Sequence, residues 1–271
     1  MDIKDFINKN KENMLKDLAL IVSYNSVSKA DKNSKYPFGE TNAKLLDETL
    51  KIFSREGLNT KNIDYYAGYG EIGSGEKLIG ILAHLDIVPS GEGWTSDPFT
   101  LTFKDGKIFG RGVADDKGPV ISALYALKYF KEADIKLDKR VRLIVGCSEE
   151  TGCQCINYYV KKEGHIDYGF TPDGAFPGIY GEKGLIGGTF LGKNTKIKDI
   201  KGGLVPNAVC SEVYAVFDLY SLNSDKLKEY FNNNQIKYKL ERNNYDKLTV
   251  YGIAAHASTP ELGINAIGHM F

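Results

Sequence analysis

Four short stretches carry residues able to hold metal ions. Ala83-His84-Leu85-Asp86 follows an apolar run from Leu78 to Leu82, so a buried strand delivers an imidazole and a carboxylate to its C-terminal end. A histidine with an aspartate two residues on can act as a metal ligand and the group that orients it. Gly110-Arg111-Gly112-Val113-Ala114-Asp115-Asp116-Lys117-Gly118 sets two adjacent carboxylates among three glycines, just before a helix. Ser148-Glu149-Glu150-Thr151-Gly152 and Thr171-Pro172-Asp173-Gly174 each follow another strand-like run. Alone, the His-x-Asp triplet also suits a strand end with no metal, the glycine-flanked acids a capped turn, and each of the last two stretches a polar turn. Together they gather His84, Asp86, Asp115, Asp116, Glu149, Glu150 and Asp173 at one edge of one sheet, and so many carboxylates repel unless cations sit among them. Imidazole mixed with carboxylate suits zinc, manganese or cobalt better than calcium or magnesium.

The elements that must position these groups are legible in the periodicity. Ile3, Phe6, Ile7, Leu15, Leu18 and Val22 predict an opening amphipathic helix, and residues 41–55 a second that stops at Gly57. Residues 62–70, 77–85, 140–146 and 167–171 read as strands. Residues 94–99 read as a loop, and 99–104 with 107–109 as a hairpin about Asp105-Gly106. Residues 119–130 predict a strong helix with Pro119 in its first turn, and residues 153–162 another. Strands alternating with helices imply an α/β sheet covered on both faces. After Lys183 the pattern changes. Strands at 187–191, 209–219 and 247–251 with a helix at 222–232 suggest a smaller α+β domain, giving domains 1–185 and 186–271. Residues 265–270 are helix-compatible with no closing cap signal.

Composition narrows the class. The 271 residues carry 35 basic and 35 acidic side chains, with 42% hydrophobic and 26% charged residues. This balance gives no reason to expect nucleic acid or an anionic membrane as partner. Residues 1–10 lack the continuous apolar stretch of a signal peptide, and no run approaches membrane-span length, so a cytoplasmic location is the expectation. The four cysteines, Cys147, Cys153, Cys155 and Cys210, are too few for a disulfide framework, and Cys153-x-Cys155 is one residue short of zinc-hairpin spacing.

The motifs, taken in order along the chain, resemble the co-catalytic di-zinc peptidases that include aminoacylase, carboxypeptidase G2 and dipeptidase V. The matching pieces are His84-Leu85-Asp86, Gly93-Trp94-Thr95-Ser96-Asp97-Pro98-Phe99, Gly110-Arg111-Gly112 with Asp115-Asp116-Lys117-Gly118, Glu149-Glu150-Thr151-Gly152, Pro172-Asp173, Glu182-Lys183-Gly184 and Ala255-His256-Ala257-Ser258-Thr259-Pro260. The resemblance implies a mixed-sheet catalytic domain with an inserted α+β lid domain, incomplete in this chain. It implies two Zn2+ ions per complete site, with Mn2+ or Co2+ as substitutes. His84 and Asp173 would bind the first zinc, Asp115 would bridge both, Glu150 would bind the second, and the Asp115-Asp116 peptide would be cis. Asp86 would orient His84. Glu149 would be the general base toward a metal-bridging water. His256 would hold the oxyanion, and Asn207, in Gly202-Gly203-Leu204-Val205-Pro206-Asn207, would contact substrate. The implied activity is hydrolysis of dipeptides or small N-acyl amino acids, with a small peptide as partner and the choice of monomer or homodimer open.

The chain also departs from that family, because a final histidine ligand is missing. His165 and His269 read as surface or packing residues, so a partial chain is the expectation. Three alternatives stand beside the dipeptidase: a deacylase of acetylornithine or succinyl-diaminopimelate type, a non-catalytic metal-binding fragment, and a cysteine hydrolase using Cys147 or Cys153.

Overall fold

In a computed structural model, the described residues are 1–271 apart from 32, 92, 175–176, 185, 190–195 and 204. They form two compact units, Met1–Ile179 and Tyr180–Phe271. The division falls earlier than the boundary after residue 185 expected from the sequence.

The first unit opens with α1 (Ile3–Val22) and α2 (Glu40–Arg55). The Asp2 side chain caps α1 by accepting the Lys4 and Asp5 amides, which satisfies two of the unpaired first-turn donors. Then come β1 (Asn59–Ile63), β2 (Ala67–Ile72), β3 (Leu78–His84), β4 (Thr102–Lys104), β5 (Lys107–Phe109), α3 (Lys117–Glu132), β6 (Arg140–Gly146), α4 (Gln154–Glu163) and β7 (Tyr168–Phe170). The single strand expected over 62–70 is in fact the β1–β2 hairpin. Asp64 and Tyr65 both take positive φ (49° and 60°), and Asn62 Oδ1 accepts the Tyr65 amide. No glycine marks that turn, which hides it from sequence reading.

The main sheet runs β1-β2-β6-β3-β7 and is mixed. β1, β2 and β6 pair antiparallel, whereas β3 lies parallel to both β6 and β7. Side chains alternate between its faces. Leu143 and Val145 of β6 join the main core with Leu45, Leu46, Val120, Ile121 and Leu124 from α2 and α3, while Ile144 points the other way to Tyr159 of α4. The sheet is thus covered by α1–α3 on one face and α4 on the other. β4 and β5 form the expected hairpin, with Asp105 and Gly106 at φ 51° and 71°.

The second unit contains β8 (Ile197–Gly202), β9 (Glu212–Phe217), α5 (Ser224–Asn233), β10 (Lys237–Arg242), β11 (Asp246–Tyr251), a single 3-10 turn at Pro260–Leu262 and α6 (Ala266–Met270). Its antiparallel sheet is ordered β10-β11-β9-β8. Phe231, Val213, Leu248, Val250 and Ala266 form its core. Of the strand expected at 187–191, residues 187–189 are not strand, and 190 and 191 lie outside the described residues. β8 and β10 were not expected from the sequence. Among the described residues no helix is long and apolar enough to cross a membrane.

Candidate metal centre at the sheet edge

The site in the first unit begins where two neighbouring parallel strands end together. His84 closes β3 opposite Gly146, which closes β6, and the Leu85 amide donates to the Gly146 carbonyl at 2.9 Å. The two chains therefore leave the sheet side by side, one carrying His84-Leu85-Asp86 and the other Ser148-Glu149-Glu150. β7, on the far side of β3, leads to Asp173. The acid pair arrives through the turn at Gly112, whose φ is +90°; a Cβ there would stand 2.9 Å from Lys117 Cδ and 3.1 Å from Ile87 Cγ2. Only glycine fits that turn without strain. The Asp115-Asp116 peptide is cis, and Asp116 is the N-cap residue of α3.

His84 is 2% exposed, and its Nδ1 lies 2.9 Å from the main-chain carbonyl of Asp86, with Asp86 Oδ1 at 3.6 Å. The contact that orients the ring is thus chiefly to the Asp86 backbone. The buried Asp86 carboxylate does other work: Oδ1 accepts the Glu149 amide at 3.0 Å and Oδ2 the Glu150 amide at 3.1 Å. At the far side of the ring, His84 Nε2 faces Asp115 Oδ1 at 2.9 Å, Asp173 Oδ2 at 3.3 Å and Glu149 Oε2 at 3.9 Å. It is buried and makes no well-formed hydrogen bond to any of them. Among the described residues, one ligand atom each from His84, Asp115 and Glu150 lie within 4.8 Å of one another, and so do those from His84, Asp116 and Asp173.

Electrostatics make the cluster uncomfortable by itself. Burial, then the neighbouring charge of Asp115, pushes the Glu150 carboxyl up to about 7. Burial raises Asp116 to about 7, with Asp173 and Asp115 adding to the rise against His84. Glu149 is raised too, by burial and then by Asp86, Asp173 and Asp115, with His84 opposing. On His84, burial disfavours the charged ring, but the carboxylates of Asp115, Asp173 and Asp86 overcome it and drive the imidazole far up. A cation among these groups would remove the strain at its source. The orphaned buried imidazole nitrogen and the imidazole–carboxylate donor set fit a transition-metal ion.

All the residues expected at the sheet edge come together here. Two residues here, Asp116 among those expected and its neighbour Lys117, were given no ligand or catalytic role from sequence. Asp116 is fully buried, its Oδ2 accepting the His84 amide at 3.0 Å while Oδ1 has no donor. Lys117 is also fully buried, its Nζ donating to the Tyr24 carbonyl at 2.9 Å, and desolvation lowers it to about 7. Their adjacency to Asp115 was the only available signal. His165 is exposed, and His269 is half-buried with Nδ1 3.2 Å from the Tyr230 hydroxyl. Burial pushes the thiols of Cys147, Cys153 and Cys155 upward, Cys153 to about 11, which leaves none of the three as a ready nucleophile.

Asn207 and His256 belong to the second unit and meet within it. Ala208 and His256 form an antiparallel bridge, and the Ala257 amide donates to the Asn207 carbonyl at 2.8 Å. Both side chains are on exposed residues.

Comparison with known proteins agrees with this architecture. The family model described as peptidase family M20/M25/M40 matches residues 80–250. The chain is 36% identical to the putative dipeptidase YtjP of Bacillus subtilis over 95% of its own length and 58% of the relative's. It is 33% identical to the Beta-Ala-Xaa dipeptidase of Lactobacillus delbrueckii subsp. lactis over 98% of its length and 59% of the relative's. It therefore spans under three fifths of these curated relatives. Among solved structures, human carnosine dipeptidase 1 is similar in fold with a TM-score of 0.56 at 15% identity, covering 91% of this chain and 71% of that one. The dipeptidase Dug1p of Saccharomyces cerevisiae gives 0.53 at 20% identity, covering 82% and 47%. On the extent of the family match and the identity to its curated relatives, the chain belongs to peptidase family M20/M25/M40.

Proposed function

We propose that this site serves a zinc-dependent dipeptidase that hydrolyses the peptide bond of dipeptides or small N-acyl amino acids. The observation that carries the metal is the buried, unbonded His84 Nε2 facing Asp115 and Asp173. The dipeptide substrate is supported by the names of the curated relatives. His84, Asp115 and Asp173 would hold one zinc and Asp115 with Glu150 the other, with Mn2+ or Co2+ as substitutes. When bound, the ions supply Lewis acidity, polarising the scissile carbonyl and acidifying water.

The chain's own groups do the rest. Glu149 takes a proton from the attacking water and passes it to the leaving amine as the C–N bond breaks, so the carboxylate is regenerated. Asp86 holds the backbone of both glutamates, and so fixes the base beside the ligands. His256 would donate to the oxyanion and Asn207 would contact substrate.

The test compares neighbouring acids. Glu149→Ala should keep near-normal zinc content while dipeptide turnover drops by roughly a hundredfold or more. Glu150→Ala should lower zinc content instead. Exchange of these two phenotypes would reverse the assignment. A zinc-loaded protein that cleaved acetylornithine or succinyl-diaminopimelate but no dipeptide would sink the dipeptidase reading.

A further inference from the structure

The loop that carries His256 contains a device that sets which ring nitrogen bears the proton. The Ser258 backbone N–H donates to His256 Nδ1 at 3.2 Å, and the Ser258 hydroxyl lies 2.7 Å from the same nitrogen. A peptide N–H can only donate. Were Nδ1 protonated, its hydrogen would point at the Ser258 amide hydrogen, and the two donors would repel. Nδ1 is therefore the acceptor, and a neutral ring must carry its proton on Nε2.

The loop around this contact is braced on three sides. The Thr259 amide donates to the His256 carbonyl at 3.0 Å, closing the turn. The Ala257 amide is held by Asn207, as described above. Lys183 Nζ donates to the Ser258 carbonyl, so the peptide that follows Ser258 cannot swing freely. Lys183 lies in the motif Glu182-Lys183-Gly184, to which the proposed chemistry assigns no role.

We propose that Ser258, braced by Lys183, is a positioning residue that locks His256 in its neutral Nε2–H tautomer and so presents Nε2–H as a ready hydrogen-bond donor. The inference rests on the reading of His256 as the oxyanion donor for its purpose, though not for its geometry. A donor already carrying its proton on the outward nitrogen needs no tautomer exchange before meeting a developing negative charge, which is the benefit of preorganisation.

The experiment is long-range 1H–15N correlation spectroscopy on the 15N-labelled full chain at a pH near 9, well above the ordinary imidazole value of about 6.5. The chain has only four histidines, so the signal that disappears in His256→Gln identifies His256. Wild type should show the Nε2–H pattern. Ser258→Ala should lower the ratio of Nε2–H to Nδ1–H roughly fivefold, the worth of one neutral hydrogen bond. Ser258→Thr, which keeps the hydroxyl, should restore it. Unchanged signals from His84, His165 and His269 establish that each variant is folded. An Nδ1–H ring in wild type would overturn the lock; a ratio unmoved by Ser258→Ala, which keeps the backbone N–H of residue 258, would overturn the part assigned to the Ser258 hydroxyl. If the tautomer results hold while His256→Gln leaves dipeptide turnover intact, the lock stands and the catalytic reading of His256 fails.

Discussion

Replacing Asp86 by asparagine tests how the two halves of the site are joined. The carboxylate is fully buried, and each oxygen accepts one backbone amide, from Glu149 and from Glu150. Hydrogen bonds to a charged group contribute about 1.5–3 kcal/mol each. Asparagine keeps one acceptor oxygen and turns an NH2 toward the other amide, so one bond is lost and Asp86→Asn should cost about 1.5–3 kcal/mol. The assay is urea unfolding of the metal-free protein followed by fluorescence of Trp94, the single tryptophan, which reports on the first unit alone. With m of roughly 2–3 kcal/mol per molar urea, the midpoint should fall by about half to one and a half molar. The His84 ring should stay oriented, because its Nδ1 partner is the Asp86 main-chain carbonyl. Zinc held through His84 should therefore survive, while the Glu150 ligand loosens. An unchanged midpoint would refute the role of the two amide bonds. Loss of all zinc with an unchanged midpoint would show that Asp86 acts through His84 instead.

Two further outcomes follow from the same geometry. Gly112→Ala should destabilise the first unit by at least about 1–2 kcal/mol, the cost of left-handed backbone for a residue with a Cβ, and should reduce zinc retention because the turn leads into Asp115; an unaltered melting temperature would show that the turn can relax. Glu56, half-buried and capping the end of α2, has its carboxyl opposed by desolvation but held below the usual range by hydrogen bonds and charge from Lys128 and Arg55. A carboxylate with a depressed folded value stabilises above its unfolded pKa of about 4.5 and loses that contribution as pH falls through the folded value. Thermal melts should thus find Glu56→Gln less stable than wild type at pH 7, with the gap closing below about pH 4.5; a pH-independent gap would point to packing alone.

Much of the site was legible because its residues sit at element ends with strong periodic signals. β3 and β6 are apolar runs that stop at His84 and Gly146, and α3 starts directly after the acid pair. Where the sequence misled, local signals were weak or overridden. The β1–β2 turn uses Asp64 and Tyr65 at positive φ without glycine. β8 is a largely exposed edge strand with a register shift between Ile197 and Asp199, so it shows no apolar alternation; β10, also at an edge, does alternate through Ile236, Tyr238 and Leu240, but lysines between them made the run read as polar. Lys117 is buried although lysine is ordinarily a surface residue, and nothing in its own neighbourhood of sequence announces that. The way Asp86 divides its backbone and side chain between His84 and the glutamates is a matter of three-dimensional contact that a triplet of letters does not contain.

The parallel pairing of β3 with β6 also works as a ruler. Adjacent strands in any sheet run about 4.8 Å apart, and paired catalytic metal ions stand about 3.5–4 Å apart. Two chains leaving neighbouring strands at the same level, as they do at His84 and Gly146, thus start with nearly the spacing that the proposed pair of ions would need. The backbone hydrogen-bond lattice fixes that spacing independently of any side chain. Substitutions in the surrounding loops can then reshape what the site accepts while the distance between its two halves stays set by the sheet.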